Sequence, residues 1–277
     1  MKRSIFYQVG SIETPEFDTL VEEVLLAEQL AIDTVWCFPN AAEGGDFRDG
    51  APSIWLSALA SRTERIRLGW GLPGMTPPNS PPLRMAEQAA VIDLASGGRL
   101  ELALMPEGEL DADGAGAWDE GVRMLIEMWD TPSFSWTSPR FTVQPVDVVP
   151  KPVQQPHPPL WLAGWSAVHA RRAGERGLAF LDLSGATDET LVLHRDEYVK
   201  ARAGADPNDL VSTGVYGIGV DLEASPAAVD RLLHWEELGF DHVIVRAAAQ
   251  GAGDDEAGAL IRFLAGAETR GDERELV

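Results

Sequence analysis

Cysteine is almost missing from this chain. Cys37 stands alone among 277 residues, so an intrachain disulfide is impossible and a multi-cysteine metal site is excluded. A reducing, cytoplasmic setting is expected. Long apolar runs are also lacking: no stretch approaches the length that spans a bilayer, and the run after Met1-Lys2-Arg3 is too short for a signal peptide. No membrane partner is expected. Positive charge is scarce, with lysine confined to Lys2, Lys151 and Lys200 and a net charge of -22. Phosphate backbones would be repelled, which argues against nucleic-acid partners, and the excess of carboxylates reads as a solubilising surface. The five histidines pair with no carboxylate at metal-ligand spacing, so no metal is expected. No segment rich in glycine, serine or charge divides the chain, and one domain covering 1–277 is expected.

What is present is a regular alternation of short apolar runs and longer amphipathic ones. Ser4–Val9 reads as a strand, and Glu16–Leu30 follows with Phe17, Leu20, Val24, Ala27 and Leu30 at helical spacing. The pattern repeats as Asp33–Phe38 with Pro52–Arg62, Ile66–Leu72 with Pro82–Ala95, and Arg99–Met105 with Trp118–Trp129. Pro52 suits the first turn of a helix, and Gly97-Gly98 suit a left-handed stop. Phe134–Val149 breaks the rhythm as an irregular excursion with the look of a short hairpin. The rhythm resumes with Leu160–Ala163 and Ala167–Arg176, Leu178–Leu183 and Asp188–Ala203, Ser212–Val220 and Pro226–Leu238, and His242–Ala247 and Asp255–Gly266. Eight strand-helix units predict an α/β fold, a closed (β/α)₈ barrel, with a doubly wound open sheet as the alternative.

In that frame the proline-rich stretch Pro150–Pro159 crosses the bottom of the barrel, and Gly164-Trp165-Ser166 sits where the fifth barrel strand exits at the top. A glycine, a hydroxyl and a helix start together suit a phosphate; an ordinary serine cap is the alternative. Two longer stretches carry more. "PPLRMAEQAAVIDLASGGRLELAL" (Pro81–Leu104) and "FTVQPVDVVPKPVQQPHPPLWLAGWSAVHARRAGERG" (Phe141–Gly177) resemble the bacterial luciferase-like monooxygenase superfamily, which includes flavin-dependent oxygenases and F420-dependent oxidoreductases. The resemblance implies a dimeric (β/α)₈ barrel binding a flavin at the strand C-termini. It implies that Ala163, Gly164, Trp165 and Ser166 cradle the cofactor phosphate and that the ring lies near Trp70, Gly71 and Met105. It implies a monooxygenase using reduced FMN from a separate flavin reductase on a small organic substrate. F420-dependent hydride transfer, or a relative that has lost its cofactor and serves as a binding protein, are the alternatives.

The chain departs from the family pattern at two places. Pro39 and Asn40 stand where many members carry a Glu-His pair, which leaves Asn40 to orient or hydrogen-bond and not to act as a base. Pro106 stands where members often place a phosphate-binding arginine, followed by Glu107. Other polar residues are weighed by position. His169, in the first turn after Ser166, is placed to face a phosphate. Arg246 near the end of the last strand is placed for an anion or an ion pair. Asp182 and Ser184 suit either ring contacts or loop caps. Trp36, Trp70 and Trp165 are candidate pocket walls, with Trp36 facing the helices if alternation runs the other way. Gly10 and Ser11 suggest a turn. His157 and His242 belong to the bottom of the barrel, and His194 and His234 to helices as surface or packing residues. The helix beginning Pro52-Ser53-Ile54 is apolar on more than one face, which predicts burial against a second copy of the chain.

Overall fold

The computed structural model describes residues 1–10, 16–41, 47–48, 50–74, 81–106, 110, 114–205, 214–247 and 256–266. In chain order the elements are β1 (Lys2–Val9), α1 (Phe17–Gln29), β2 (Thr34–Ala41), β3 (Phe47–Arg48), α2 (Pro52–Ala60), β4 (Arg67–Leu72), α3 (Pro82–Ser96), β5 (Leu100–Leu104) and α4 (Gly114–Asp130). They continue with β6 (Phe134–Thr137), β7 (Thr142–Val146), β8 (Leu160–Gly164), α5 (Ala167–Glu175), β9 (Ala179–Asp182), α6 (Asp188–Ala203), β10 (Tyr216–Val220), α7 (Pro226–Glu237), β11 (His242–Arg246) and α8 (Glu256–Gly266). Strands β1, β2, β4, β5, β8, β9, β10 and β11 run parallel, and β1 pairs with both β11 and β2. That double pairing closes the barrel and leaves no open edge between its eight strands. The expected excursion is the antiparallel hairpin of β6 and β7. The open-sheet alternative falls with the closure.

Side-chain parity follows from what must fill the barrel. Phe6, Trp36, Phe38, Ala103, Met105, Trp161, Ala163, Leu181 and Ile244 form the inner cluster, apart from the larger layer between strands and helices. Two large rings on β2 face β4, where Gly69 and Gly71 make room: a methyl at Gly69 would lie 2.1 Å from the Trp36 ring, and one at Gly71 2.2 Å from Phe38. Trp36 therefore points inward, against the looser of the two expectations. Its ring stacks on Phe38 at 5.8 Å and meets Trp161 edge-on at 5.8 Å, arrangements that aromatic quadrupoles favour.

Parts of the stretches that carry the family resemblance build the bottom of this barrel. Asp93, fully buried on α3, accepts from the backbone N–H groups of Val153 (2.8 Å) and Gln154 (2.9 Å) and from the Gln154 amide (2.6 Å). Gln154 also donates to the carbonyl of Leu100 at 2.8 Å, and Lys151 donates to the carbonyls of Met128 and Thr131 at the end of α4. Gly97 and Gly98 take the left-handed conformation that ends α3. The Arg99 guanidinium then binds the carbonyls of Ser96, Ala60, Thr63 and Ile66, tying α2 to α3. Inside the floor, Glu101 accepts from Trp161 at 2.9 Å and pairs with Arg67. His242 Nε2 lies 2.6 Å from Ser4 Oγ, and burial, with Lys2 and the N-terminal ammonium close by, holds its imidazole down at about 3.

Two outcomes follow from this floor. Replacing Asp93→Ala removes three hydrogen bonds to a buried charge and is expected to cost about 3 kcal/mol, read as a lower denaturation midpoint. For His242, the unfolded imidazole titrates near 6.5 and the folded one near 3, so the unfolded chain binds the extra proton between those values. The associated stability is complete above pH 6.5 and is lost progressively as pH falls toward 3. His242→Gln is expected to flatten that slope by about 1.4 kcal/mol per pH unit, measured by urea titrations across the window.

Candidate active site

The C-terminal mouth of the barrel is built from the last inward-facing residue of each strand, because parallel strands bring those positions to one end. Gln8 is the last residue but one of β1, and Phe38 lies level with it on β2. Gly71 faces inward on β4, Met105 follows β5, Leu183 follows β9 and Arg246 ends β11. The floor of the mouth is apolar, since Phe6, Phe38 and Met105 are all buried. Phe6 meets Phe38 edge-on at 5.8 Å.

Two residues expected here are placed differently. Trp70 points outward: it follows Gly69, shares the outer face with its register partner Cys37, and packs in the layer between barrel and helices. The inward phase of β4 belongs to its glycines, so Trp70 cannot wall the mouth. Gly71 does face inward, but the space its missing side chain leaves is taken by Phe38. Asp182 also turns outward, where it is fully buried and accepts from Tyr216 Oη (2.8 Å), His194 Nδ1 (2.8 Å) and the Ser184 N–H (2.9 Å). Burial and that carboxylate push the Tyr216 phenol far up, so the cluster is a sealed brace between β9, β10 and α6. Ser184 caps its own loop through Ala186.

At the end of β8 the expected residues do come together. Ala163 is buried in the barrel interior, and Gly164 closes the strand. Ser166 is the N-cap of α5, its hydroxyl accepting the N–H of His169 at 3.4 Å. His169 is fully buried and folds back under Gly164, where any β-carbon on the glycine would lie 2.6 Å from its own. Its Nδ1 accepts the Trp165 N–H at 3.2 Å and its ring meets Trp165 edge-on at 4.6 Å. His169 is thus a support for this turn, and not the outward-facing phosphate ligand its position suggested. The N–H groups of Ala167 and Val168, in the first turn, have no partner inside the helix and point toward the mouth end.

Asn40 lies on β2 opposite Arg48 of β3; its side chain is outside the described residues, as are Glu107 and Ser11. His157 packs on Trp129 at the bottom, and His234 lies exposed near Asp188. Cys37 is buried, which pushes its thiol up to about 12 and removes it as a nucleophile. One arrangement escaped the sequence reading. Arg246 Nη1 donates to Gln8 Oε1 at 3.0 Å, its Nε lies 2.8 Å from Asp221 Oδ1, and its guanidinium sits 5.4 Å above the Phe6 ring. The pair is separated by 238 positions, and only the closure of β1 on β11 makes them neighbours.

Comparison with known proteins bears on these residues. The oxygenase component of the flavin-dependent trigonelline monooxygenase of Acinetobacter baylyi is 26% identical over 183 residues, covering 59% of this chain and 49% of that protein. The F420-dependent glucose-6-phosphate dehydrogenase of Amycolatopsis mediterranei is 27% identical over 207 residues, covering 68% and 59%. The chain spans about half the length of the curated relatives it matches. A solved monooxygenase from Streptomyces bottropensis superposes with a TM-score of 0.78 over 96% of this chain and 98% of that one, at 18% identity, a likeness of fold alone. The model of the family described as luciferase-like monooxygenase matches residues 1–268, nearly the whole closed barrel and its mouth, and the chain belongs to that family.

Proposed function

We propose that this chain is a flavin-dependent monooxygenase that takes reduced FMN from a separate reductase and oxygenates a small organic substrate in the barrel mouth. The observation that carries this reading is the end of β8. There α5 starts with the N–H groups of Ala167 and Val168 after the Ser166 hydroxyl, at the same end of the barrel as Phe38 and Met105 of the inner cluster. Those amides and the hydroxyl suit a phosphate, and the floor suits a flat ring kept from water. When bound, reduced flavin supplies the electrons that activate oxygen.

The chain's own share is to bind, orient and exclude water. Among the described residues at the mouth, Gln8 offers an amide that has no proton to exchange at neutral pH. Asn40 has the same limitation. The part these residues take is one of position.

Two other readings share the site. F420-dependent hydride transfer would use the same phosphate donors, and the glucose-6-phosphate dehydrogenase relative is the observation in its favour. Loss of cofactor binding is favoured by the closed turn itself, since His169 already occupies the Trp165 N–H and Ser166 the His169 N–H. A fluorescence titration with oxidised FMN, reduced FMN and F420 separates the three. Reduced FMN is expected to bind most tightly, with Ser166→Ala weakening it about tenfold. Preference for F420 moves the reaction to hydride transfer, and failure of all three removes the oxidoreductase reading.

The same proposal includes a homodimer through α2 and α3. In a chain of net charge -22, two copies repel wherever carboxylates face each other, yet "PSIWLSALA" carries no charge at all. Ile54 is 69% exposed on this helix, and with Val91 and Val149 it lines a cleft of about 420 Å³ that Glu87 also borders. Apolar surface of this kind is stabilised by a neutral partner surface, which a second copy supplies. Ile54→Glu is expected to give monomers by sedimentation while leaving the melting curve of the monomer cooperative.

A further inference from the structure

Resting on the reading of the mouth as the substrate site, we propose that Arg246 is the substrate's anchor and that the substrate carries a single negative charge, as a carboxylate or an equivalent monoanion. The guanidinium is the inward-facing cation at the end of β11, and it is prepared for exchange on one side only. Gln8 and the Phe6 ring hold it from within the barrel, through a 3.0 Å hydrogen bond and a cation-π contact at 5.4 Å. On the outer side its partner is Asp221, whose side chain is 72% exposed. An ion pair with so exposed a carboxylate contributes little, because water and salt screen it and the side chain must be held in place. The approach is also poorly aligned: Nε lies within 2.8 Å of Asp221 Oδ1 yet makes no hydrogen bond there. A ligand carboxylate set in the plane of the guanidinium would meet two donors at once, which Asp221 does not.

Space exists for it. On its outer side Arg246 borders a cavity of about 900 Å³ that opens between the ends of β10 and β11 and the starts of α7 and α8, beside the mouth and not over its floor of Phe6, Phe38 and Met105. Asp221, Glu223 and Glu256 lie around this cavity, with Arg231 as a second cation. The carboxylates set the charge of the ligand: one negative charge replaces that of Asp221 at Arg246, while a second would face Glu223 and Glu256. Arg246 is therefore a specificity residue, selecting organic monoanions over neutral molecules, cations and dianions.

The test uses the full chain without any flavin, so that it stands apart from the cofactor reading. Dissociation constants are measured by NMR titration for acetate, benzoate, benzamide, benzylammonium and phenyl phosphate against the parent protein, Arg246→Gln, Arg246→Lys and Asp221→Asn. Benzoate is expected to bind and benzamide not. Arg246→Gln should weaken benzoate about tenfold, the loss of one charge-assisted contact, and Asp221→Asn should tighten it severalfold by removing the competitor. Arg246→Lys should restore only part of the binding, because the flat two-donor geometry is gone. The proposal is overturned if neither carboxylate binds, if Arg246→Gln leaves benzoate unchanged, or if phenyl phosphate binds better than benzoate. A separate arm compares FMN with riboflavin on Arg246→Gln: a loss confined to FMN would assign the arginine to a cofactor phosphate and overturn the substrate role. Carboxylate binding with no flavin binding would leave Arg246 as assigned and remove the oxygenase reading alone.

Discussion

Asp93 is a buried carboxylate with three N–H donors on it and no cation among them, and the return of the chain to the barrel depends on that arrangement. After α4 the backbone abandons the strand-helix rhythm for the hairpin of β6 and β7, and it must come back in register beside β5. The Asp93 carboxylate grips the backbone of Val153 and Gln154, and Gln154 reaches the first residue of β5 through the Leu100 carbonyl. The distance between the end of the hairpin and the start of β8 is thereby set. With β8 in register on β5, β9 can pair with β8, and the remaining strands carry the sheet round to β1. A buried charge satisfied only by hydrogen bonds is costly to disturb, so this clamp tolerates little drift.

The division of labour along the barrel axis follows. Much of the two stretches that resemble the family, Pro81–Leu104 and Phe141–Gly177, is occupied with carbonyls, caps and the ion pair of Arg67 with Glu101 at the bottom. That part explains why the chain folds as its relatives do, while the end of β8, in the second stretch, reaches the mouth. The departures, at Asn40 and Pro106, lie toward the mouth. Stability and chemistry occupy opposite ends, as in barrels generally, so a chain can keep the one while altering the other.

Aromatic filling then shapes the mouth. Trp36, Phe38 and Trp161 occupy the barrel axis, and the glycines of β4 exist to admit two of those rings. Phe38 raises an apolar floor at the mouth, with the end of β8 and the pair of Gln8 and Arg246 at the same end of the barrel. Among the described residues, the polar groups named at that end are each held by a neighbour: Ser166 by His169, Arg246 by Gln8.

The sequence by itself determined the eight units, the interrupting hairpin, the cap at Ser166 and the glycine stop after α3. These rest on periodicity and on local backbone chemistry, and a short window of residues contains both. It also brought the end of β8 into view, because a strand followed at once by a helix start is a local event. What it left open was parity. Alternation in a strand has two phases, and nothing within Arg67–Leu72 says whether Trp70 or its flanking glycines face inward; the ring of Trp36 on the neighbouring strand decides it. The same holds for Asp182, which looks like a site residue until Tyr216 and His194 draw it outward. Arg246 and Gln8 lie at opposite ends of the chain, and their meeting was decided by the tertiary structure alone, through the pairing of the first strand with the last.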